Sequence, residues 1–221
     1  MRAPPPTSEN ELLARAQACA GLTVGHLAEA QGRPVPRDLR RHKGWLGELL
    51  ESVLGASAAS RPEPDFVVLG IELKTIPVSV DGRPLESTHV CTVAIHDLVG
   101  QRWQTSTVRT KLTRVLWIPI EAPSGVALPA RRVGAPVLWS PDAAQERVLR
   151  ADWEEHMELL ATGRFDAVDA RLGVYLQIRP KAANGRALVS ASDSDGVPAT
   201  TLPRGFYLRP DFTATILNRL D

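Results

Sequence analysis

Lysine is scarce in this 221-residue chain: of 26 basic side chains only Lys43, Lys74, Lys111 and Lys181 are lysines, and the rest are arginines. Cysteine is scarcer. Cys19 and Cys91 lie in apolar contexts without a close partner, so a disulfide framework and a thiolate metal site are both excluded and the two read as buried thiols. No apolar run approaches the ~20 residues that cross a bilayer. The start MRAPPPTSEN has prolines and an acid where a secretory signal needs an apolar stretch, so a cytoplasmic protein without membrane contact is expected. There is no GxxxxGKS/T phosphate loop, which argues against ATP use. The five histidines, His26, His42, His89, His96 and His156, show no HExxH or other metal spacing and read as structural or surface residues. Net charge is nearly absent too: 26 basic against 25 acidic residues leave +1, too little to hold nucleic acid by bulk charge.

The charges present are segregated. Residues 98 to 120 contain Arg102, Arg109, Lys111 and Arg114 with no acid, and residues 171 to 186 contain Arg171, Arg179, Lys181 and Arg186, again with none. Between them, residues 141 to 170 carry eight acids against three arginines. A basic face for an anionic polymer is one reading, and solvated charges balanced in space the other.

Patterning predicts helices followed by a sheet, then a long helix with further short strands. Ser8 with Glu11 has capping-box spacing for a helix from about Glu9 to Ala20, Thr23 can cap a second, and Leu46, Leu49, Leu50, Val53 and Leu54 form the apolar face of a third that stops at Gly55. DFVVLGIELKTIPV, THVCTVAI and RVLWIPI read as strands, with Gly70 a turn or bulge in the first. Ser140, Pro141 and Asp142 signal a helix running to Thr162. Val174 to Pro180 and Gly205 to Arg209 read as strands, Ser190 to Thr201 as a polar loop, and Asp211 as the cap of a last helix.

Chemistry concentrates in the first strand-like stretch. Side chains two apart on a strand share a face, so Glu72 and Lys74 emerge together. If the chain turns at Gly70, Asp65 returns beside Glu72, placing two carboxylates and one ammonium in one pocket. Such carboxylates repel unless a cation sits between them, and hard oxygen ligands suit Mg²⁺. Lys74 could then orient or deprotonate a water attacking phosphorus. A chain that so strongly prefers arginine has kept lysine here, where a compact ammonium with a movable pKa has a use. The bland alternative is a surface ion pair on an exposed strand edge.

At these residues the sequence resembles the MutH family of DNA mismatch repair endonucleases, within the PD-(D/E)xK nuclease superfamily that includes many type II restriction enzymes. Five blocks carry the likeness in order: KGWLGELLESVLGAS, PDFVVLGIELKTIP, KLTRVLWIPIE, YLQIRPKAAN and LPRGFYL. The resemblance implies a mixed α/β, restriction-endonuclease-like fold with a central mixed sheet flanked by helices, one endonuclease domain of two lobes forming a DNA-binding clamp. The catalytic lobe is expected at about residues 1–97 and the DNA-reading lobe at about 98–221. It implies Asp65, Glu72 and Lys74 as the catalytic triad, the Leu73 carbonyl and Glu51 as further metal ligands for Mg²⁺, with Mn²⁺ able to substitute, and Lys111 as a lysine needed for activity. Lys43 at the cleft, and Arg179, Pro180, Lys181 and Tyr207 in the reading lobe, are implied to contact DNA. Arg179 has the fork that reads guanine, and Tyr207 matches the tyrosine that senses adenine methylation. The implied activity is nicking of the unmethylated strand at hemimethylated GATC in double-stranded DNA, by a monomer activated by MutL and, indirectly, by MutS. A restriction-type enzyme cutting both strands of GATC, and a non-catalytic DNA-binding relative, are the alternatives.

Overall fold

The computed structural model describes residues 2–39, 42, 44–58, 63–181, 188–192 and 197–218. The chain forms two compact units: Met1–Glu86 with Thr113–Ser140 and Ala214–Asp221, and Ser87–Leu112 with Pro141–Thr213. The two units interleave along the chain. The cause is parallel strand pairing: after the strand Glu72–Val78 (β1) the chain leaves the first unit and returns at Thr113 to lay Val115–Glu121 (β3) alongside in the same direction, and a parallel pair requires such a crossover.

The three predicted N-terminal helices of the first unit are present as Glu9–Cys19 (α1), Val24–Ala30 (α2) and Trp45–Leu54 (α3). Ser8 and Thr23 cap the first two by accepting the backbone N–H groups of Glu11 and His26, each at 3.2 Å. Gly55 ends α3 at φ 85°, where a Cβ would collide with the Pro4 carbonyl. The sheet has the order β1-β3-β4, with Val137–Trp139 (β4) antiparallel to β3. Central β3 is buried over Val115, Leu116, Trp117 and Ile118, as expected of a strand covered on both faces. Leu49, Leu50 and Leu54 of α3 join Phe66, Ile71 and Leu73 in one core; each such side chain taken out of water contributes roughly 1.5 to 3 kcal/mol. The stretch expected as one strand from Asp65 is instead a 3₁₀ turn, Val67–Leu69, followed by Gly70 and then β1.

The second unit holds an antiparallel sheet of Thr88–Thr92 (β2), Arg204–Leu208 (β8) and Leu176–Pro180 (β5), in the order β2-β8-β5. A short helix, Thr107–Leu112 (α4), was not apparent from sequence. The long helix Ala143–Ala161 (α5) starts two residues later than expected. Asp142 forms a full capping box with Gln145, while the Ser140 hydroxyl donates to the Thr113 carbonyl at 2.8 Å. α5 packs on β5 and buries Leu149, Trp153, His156 and Leu160. The expected polar loop is partly a two-stranded ribbon, Val189–Ser192 (β6) with Pro198–Thr201 (β7). Pro210–Leu217 (α6) has Asp211 inside its first turn and not at the cap. Among the described residues no helix is long and apolar enough to cross a membrane.

Candidate functional site

Gly70, at φ 65°, lets the chain reverse within six residues. Phe66 and Ile71 close the reversal with paired backbone hydrogen bonds, Phe66 N–H to Ile71 O at 2.9 Å and Ile71 N–H to Phe66 O at 3.3 Å. Asp65 is thereby folded back on β1, and its Oδ2 accepts the Leu73 N–H at 2.8 Å. The backbone of Asp65 is held as well: its carbonyl accepts from Ser57 N–H at 2.8 Å and Ala58 N–H at 3.2 Å in the loop after α3. Arg15 fixes the end of that helix, its Nη1 donating to Leu54 O at 3.0 Å and Pro4 O at 2.6 Å.

Glu72 and Lys74 do share a face, and Lys74 Nζ lies 2.7 Å from Glu72 Oε1. The surface-edge alternative fails because the two side chains are only 14% and 5% exposed. A pair this dry needs further polar partners or a function to offset its desolvation. Glu72 N–H points to β3, donating to Arg114 O at 2.9 Å. Leu73 N–H therefore points to the opposite, outer edge, where Asp65 meets it, and the Leu73 carbonyl faces that same edge by strand alternation.

Glu51 stands in the last turn of α3, ahead of the loop whose Ser57 and Ala58 bind the Asp65 carbonyl. The Glu51 carboxyl pKa is raised from the ordinary 4.5, first by burial, then by the charge of Asp65, with Glu48 and Glu72 adding to the rise and Arg2 opposing it. Half-buried Glu51 thus feels the charges of Asp65 and Glu72. Among the described residues no three His, Cys, Asp or Glu side chains are drawn together as a finished metal cage. Asp65 is turned to the Leu73 N–H and Glu72 to Lys74. The donor chemistry nonetheless fits a hard divalent cation: the three side chains are hard oxygen donors, and burial with the neighbouring negative charge of Asp65 raises the cost of ionising Glu51. Lys111 lies half-buried on α4 in the second unit, and Lys43 falls outside the described residues.

The second unit gathers another set. Tyr207 on β8 stands in register with His89 on β2 and Gln177 on β5. A bulge between His89 and Cys91 brings Thr92 opposite Gly205, which in turn faces Arg179. His89, Tyr207, Gln177, Thr92 and Arg179 therefore line one face, while Leu176, Ile178, Phe206 and Leu208 bury the other. Ser87 Oγ accepts from Gln177 Nε2 at 2.7 Å and from Arg179 Nη1 at 3.2 Å, and Lys181 Nζ donates to Thr92 Oγ1 at 2.8 Å. Pro180, exposed, ends β5 opposite Arg204.

Sequence reading missed His89. Its ring meets Tyr207 edge-on with centroids 5.1 Å apart, and both rings crowd Gly205, where a Cβ would come within 3.1 Å of Tyr207 and 3.2 Å of His89. A histidine in an alternating strand opposite the tyrosine was the available signal, but the pairing of β2 with β8 spans more than a hundred residues and leaves no local trace.

The charge blocks are less open than the sequence suggested. Arg109 pairs with Glu146 at 2.8 Å, Arg114 with Glu9 at 2.7 Å and Arg171 with Asp169 at 3.2 Å. These three contribute less to a basic face than their acid-free surroundings implied. Arg179 and Lys181, by contrast, are exposed and hydrogen-bonded to hydroxyls.

The family described as "DNA mismatch repair enzyme MutH" matches residues 54–152. A DNA mismatch repair protein MutH of Klebsiella pneumoniae is 55% identical over 217 residues, which are 98% of this chain and 94% of the relative. The protein of that name in Vibrio parahaemolyticus is 53% identical over 97% of this chain and 95% of its own length. In Vibrio cholerae the figures are 54%, 98% and 98%.

Proposed function

The chain belongs to the MutH family of DNA mismatch repair endonucleases, and from that premise we propose that it nicks the unmethylated strand at hemimethylated GATC sites, with Mg²⁺ as its cofactor. The observation that carries the proposal is the return of Asp65 onto Leu73, between Glu72 and Lys74. On this reading Asp65, Glu72, Glu51 and the Leu73 carbonyl hold the divalent ion. When bound, the ion supplies charge stabilisation at the phosphate oxygens. Lys74 orients the attacking water and controls its proton, while Glu72 holds the Lys74 ammonium in place. Lys111 and Lys43 counter phosphate charge.

Sequence reading belongs to the second unit on this proposal. Arg179 donates its fork to guanine, Lys181 and Pro180 line the DNA beside it, and Tyr207 packs where an N6-methyl group on adenine would clash. The enzyme acts as a cytoplasmic monomer. The absence of a phosphate loop supports a division of labour in which MutL, responding to MutS, supplies ATP-dependent activation.

The deciding experiment is a strand-resolved nicking assay in Mg²⁺ on unmethylated, hemimethylated and fully methylated GATC duplexes, with and without MutL. Nicks confined to unmethylated strands and accelerated by MutL are expected. Double-strand cutting at equal rates whatever the methylation would instead describe a restriction-type enzyme and sink the proposal.

A further inference from the structure

The segment 170–176, just ahead of the strand that carries Gln177 and Arg179, is gripped by two charged side chains that bind only its backbone. From α5, the buried carboxylate of Asp152, 4% exposed, accepts three successive N–H groups: Val174 at 2.9 Å, Tyr175 at 2.7 Å and Leu176 at 2.8 Å. From the end of β8, Arg209 donates Nε to Gly173 O at 2.9 Å and Nη2 to Ala170 O at 2.9 Å and Leu172 O at 3.0 Å. The Arg209 backbone N–H adds a bond to Tyr175 O at 2.9 Å. One turn along α5 from Asp152, His156 Nε2 meets Leu176 O at 3.1 Å. Gly173 makes the tight course possible: it stands at φ 81°, and a Cβ there would run into the Leu176 carbonyl.

We infer that Asp152 and Arg209 are positioning residues for base reading, fixing the register in which β5 and β8 present Arg179 and Tyr207. The inference rests on the reading of Arg179 and Tyr207 proposed above. A hydrophobic pair could have held this loop to the helix, so the choice of a carboxylate and a guanidinium needs a reason. Charge-assisted bonds to six separate backbone groups are shorter and more directional than apolar packing. Carboxylate on the N–H side and guanidinium on the C=O side leave the segment little room to shift along its own axis. Leu176 is both the last residue gripped and the first of β5, where it pairs with Leu208, the residue between Tyr207 and Arg209. Slippage by one residue would turn Gln177 and Arg179 to the buried face. A guanine fork misplaced by about an ångström loses its bidentate geometry while its charge still attracts phosphate, so specificity falls before general affinity does.

The test uses the full chain in Mg²⁺ and compares nicking of its preferred GATC duplex with duplexes altered at one base, for wild type, Asp152→Asn, Arg209→Lys and, in parallel, Arg179→Ala. A purely structural defect removes active molecules and slows all duplexes by the same factor, leaving the ratio of kcat/KM values unchanged. The positioning role is expected to lower that ratio about tenfold in Asp152→Asn. Arg209→Lys, which keeps the charge and loses the fork, is expected to lower it in the same direction and carries the test alone if Asp152→Asn does not fold. An unchanged ratio in the folded variants, while Arg179→Ala lowers it, overturns the positioning role. An unchanged ratio in Arg179→Ala overturns the assignment of guanine reading to Arg179 itself.

Discussion

Asp65 and Leu73 are eight residues apart in sequence and 2.8 Å apart in space, carboxylate oxygen to backbone nitrogen. That bond folds Asp65 back onto the strand that carries Glu72 and Lys74. Asp65→Asn keeps an acceptor for the Leu73 N–H and removes the charge. Nicking is expected to fall about 10³-fold or more, while the melting temperature moves by no more than about 4 °C. Plasmid nicking in Mg²⁺ and a thermal melt read the two effects separately, and a normal nicking rate would remove Asp65 from the metal site.

Lys74 sits in a pair too dry for exchange without cost. Lys74→Met leaves the Glu72 carboxylate buried without its ammonium and is expected to destabilise the protein by about 3 to 5 kcal/mol. Lys74→Arg keeps the charge but cannot take a neutral form. Its expected signature is a folded protein whose kcat is about 100-fold lower. Full activity in Lys74→Arg would exclude a proton-transfer role.

Glu51 illustrates a site held at the expense of stability. Burial and the neighbouring Asp65 charge raise its carboxyl pKa above 4.5, so the folded protein holds that proton more tightly than the unfolded chain does. Stability from this group is therefore greatest at low pH and declines as pH rises through the raised value. Glu51→Gln removes the repulsion and is expected to raise the metal-free melting temperature at pH 7 by about 1 to 3 °C while nicking in Mg²⁺ is lost. A fall in melting temperature would contradict the electrostatic account.

Tyr207→Ser deletes a half-exposed ring and the edge of His89's packing. The ratio of nicking rates on unmethylated and methylated strands is expected to fall by about tenfold. Equal discrimination in the variant would place methyl sensing elsewhere.

The second unit is expected to lose stability in acid through His156. Desolvation lowers its pKa below 6.5, outweighing the opposing bond to Leu176 and the charge of Asp152. Protonation would add an N–H at Nδ1, which is buried and has no hydrogen-bond acceptor among the described residues. With the folded pKa depressed, its contribution to stability is complete above pH 6.5 and is lost as pH falls from there toward the folded-state value. Thermal melts from pH 8 to 5 should show a decline beginning near pH 6.5, and His156→Gln, which can still donate to Leu176 O, should flatten it.

Much of this was legible in the sequence because it is local. Helix caps at Ser8 and Thr23, the glycine stop at Gly55 and the i, i+2 relation of Glu72 to Lys74 involve neighbours in the chain, and each appears in the structure. The return of Asp65 was readable as a conditional, since Gly70 permits a reversal without dictating one. What escaped was non-local. The parallel pairing of β1 with β3 spans about forty residues and leaves no local trace. Asp142 outcompeted Ser140 as a cap because Ser140's hydroxyl is committed to Thr113 O. The ribbon of β6 and β7 lies in a stretch whose polar, turn-rich composition reads as a loop.

Asp152 and Arg209 grip main-chain atoms alone, and this has a consequence for how the protein can change over time. The side chains of Ala170, Arg171, Leu172 and Val174 are bystanders to the grip, and Arg171 and Val174 are exposed. Substitutions at these four positions that keep the backbone N–H leave the bonds to Asp152 and Arg209 in place, whereas a Cβ at Gly173 would run into the Leu176 carbonyl. The side chains of this segment and the course of the strand it precedes are thereby uncoupled.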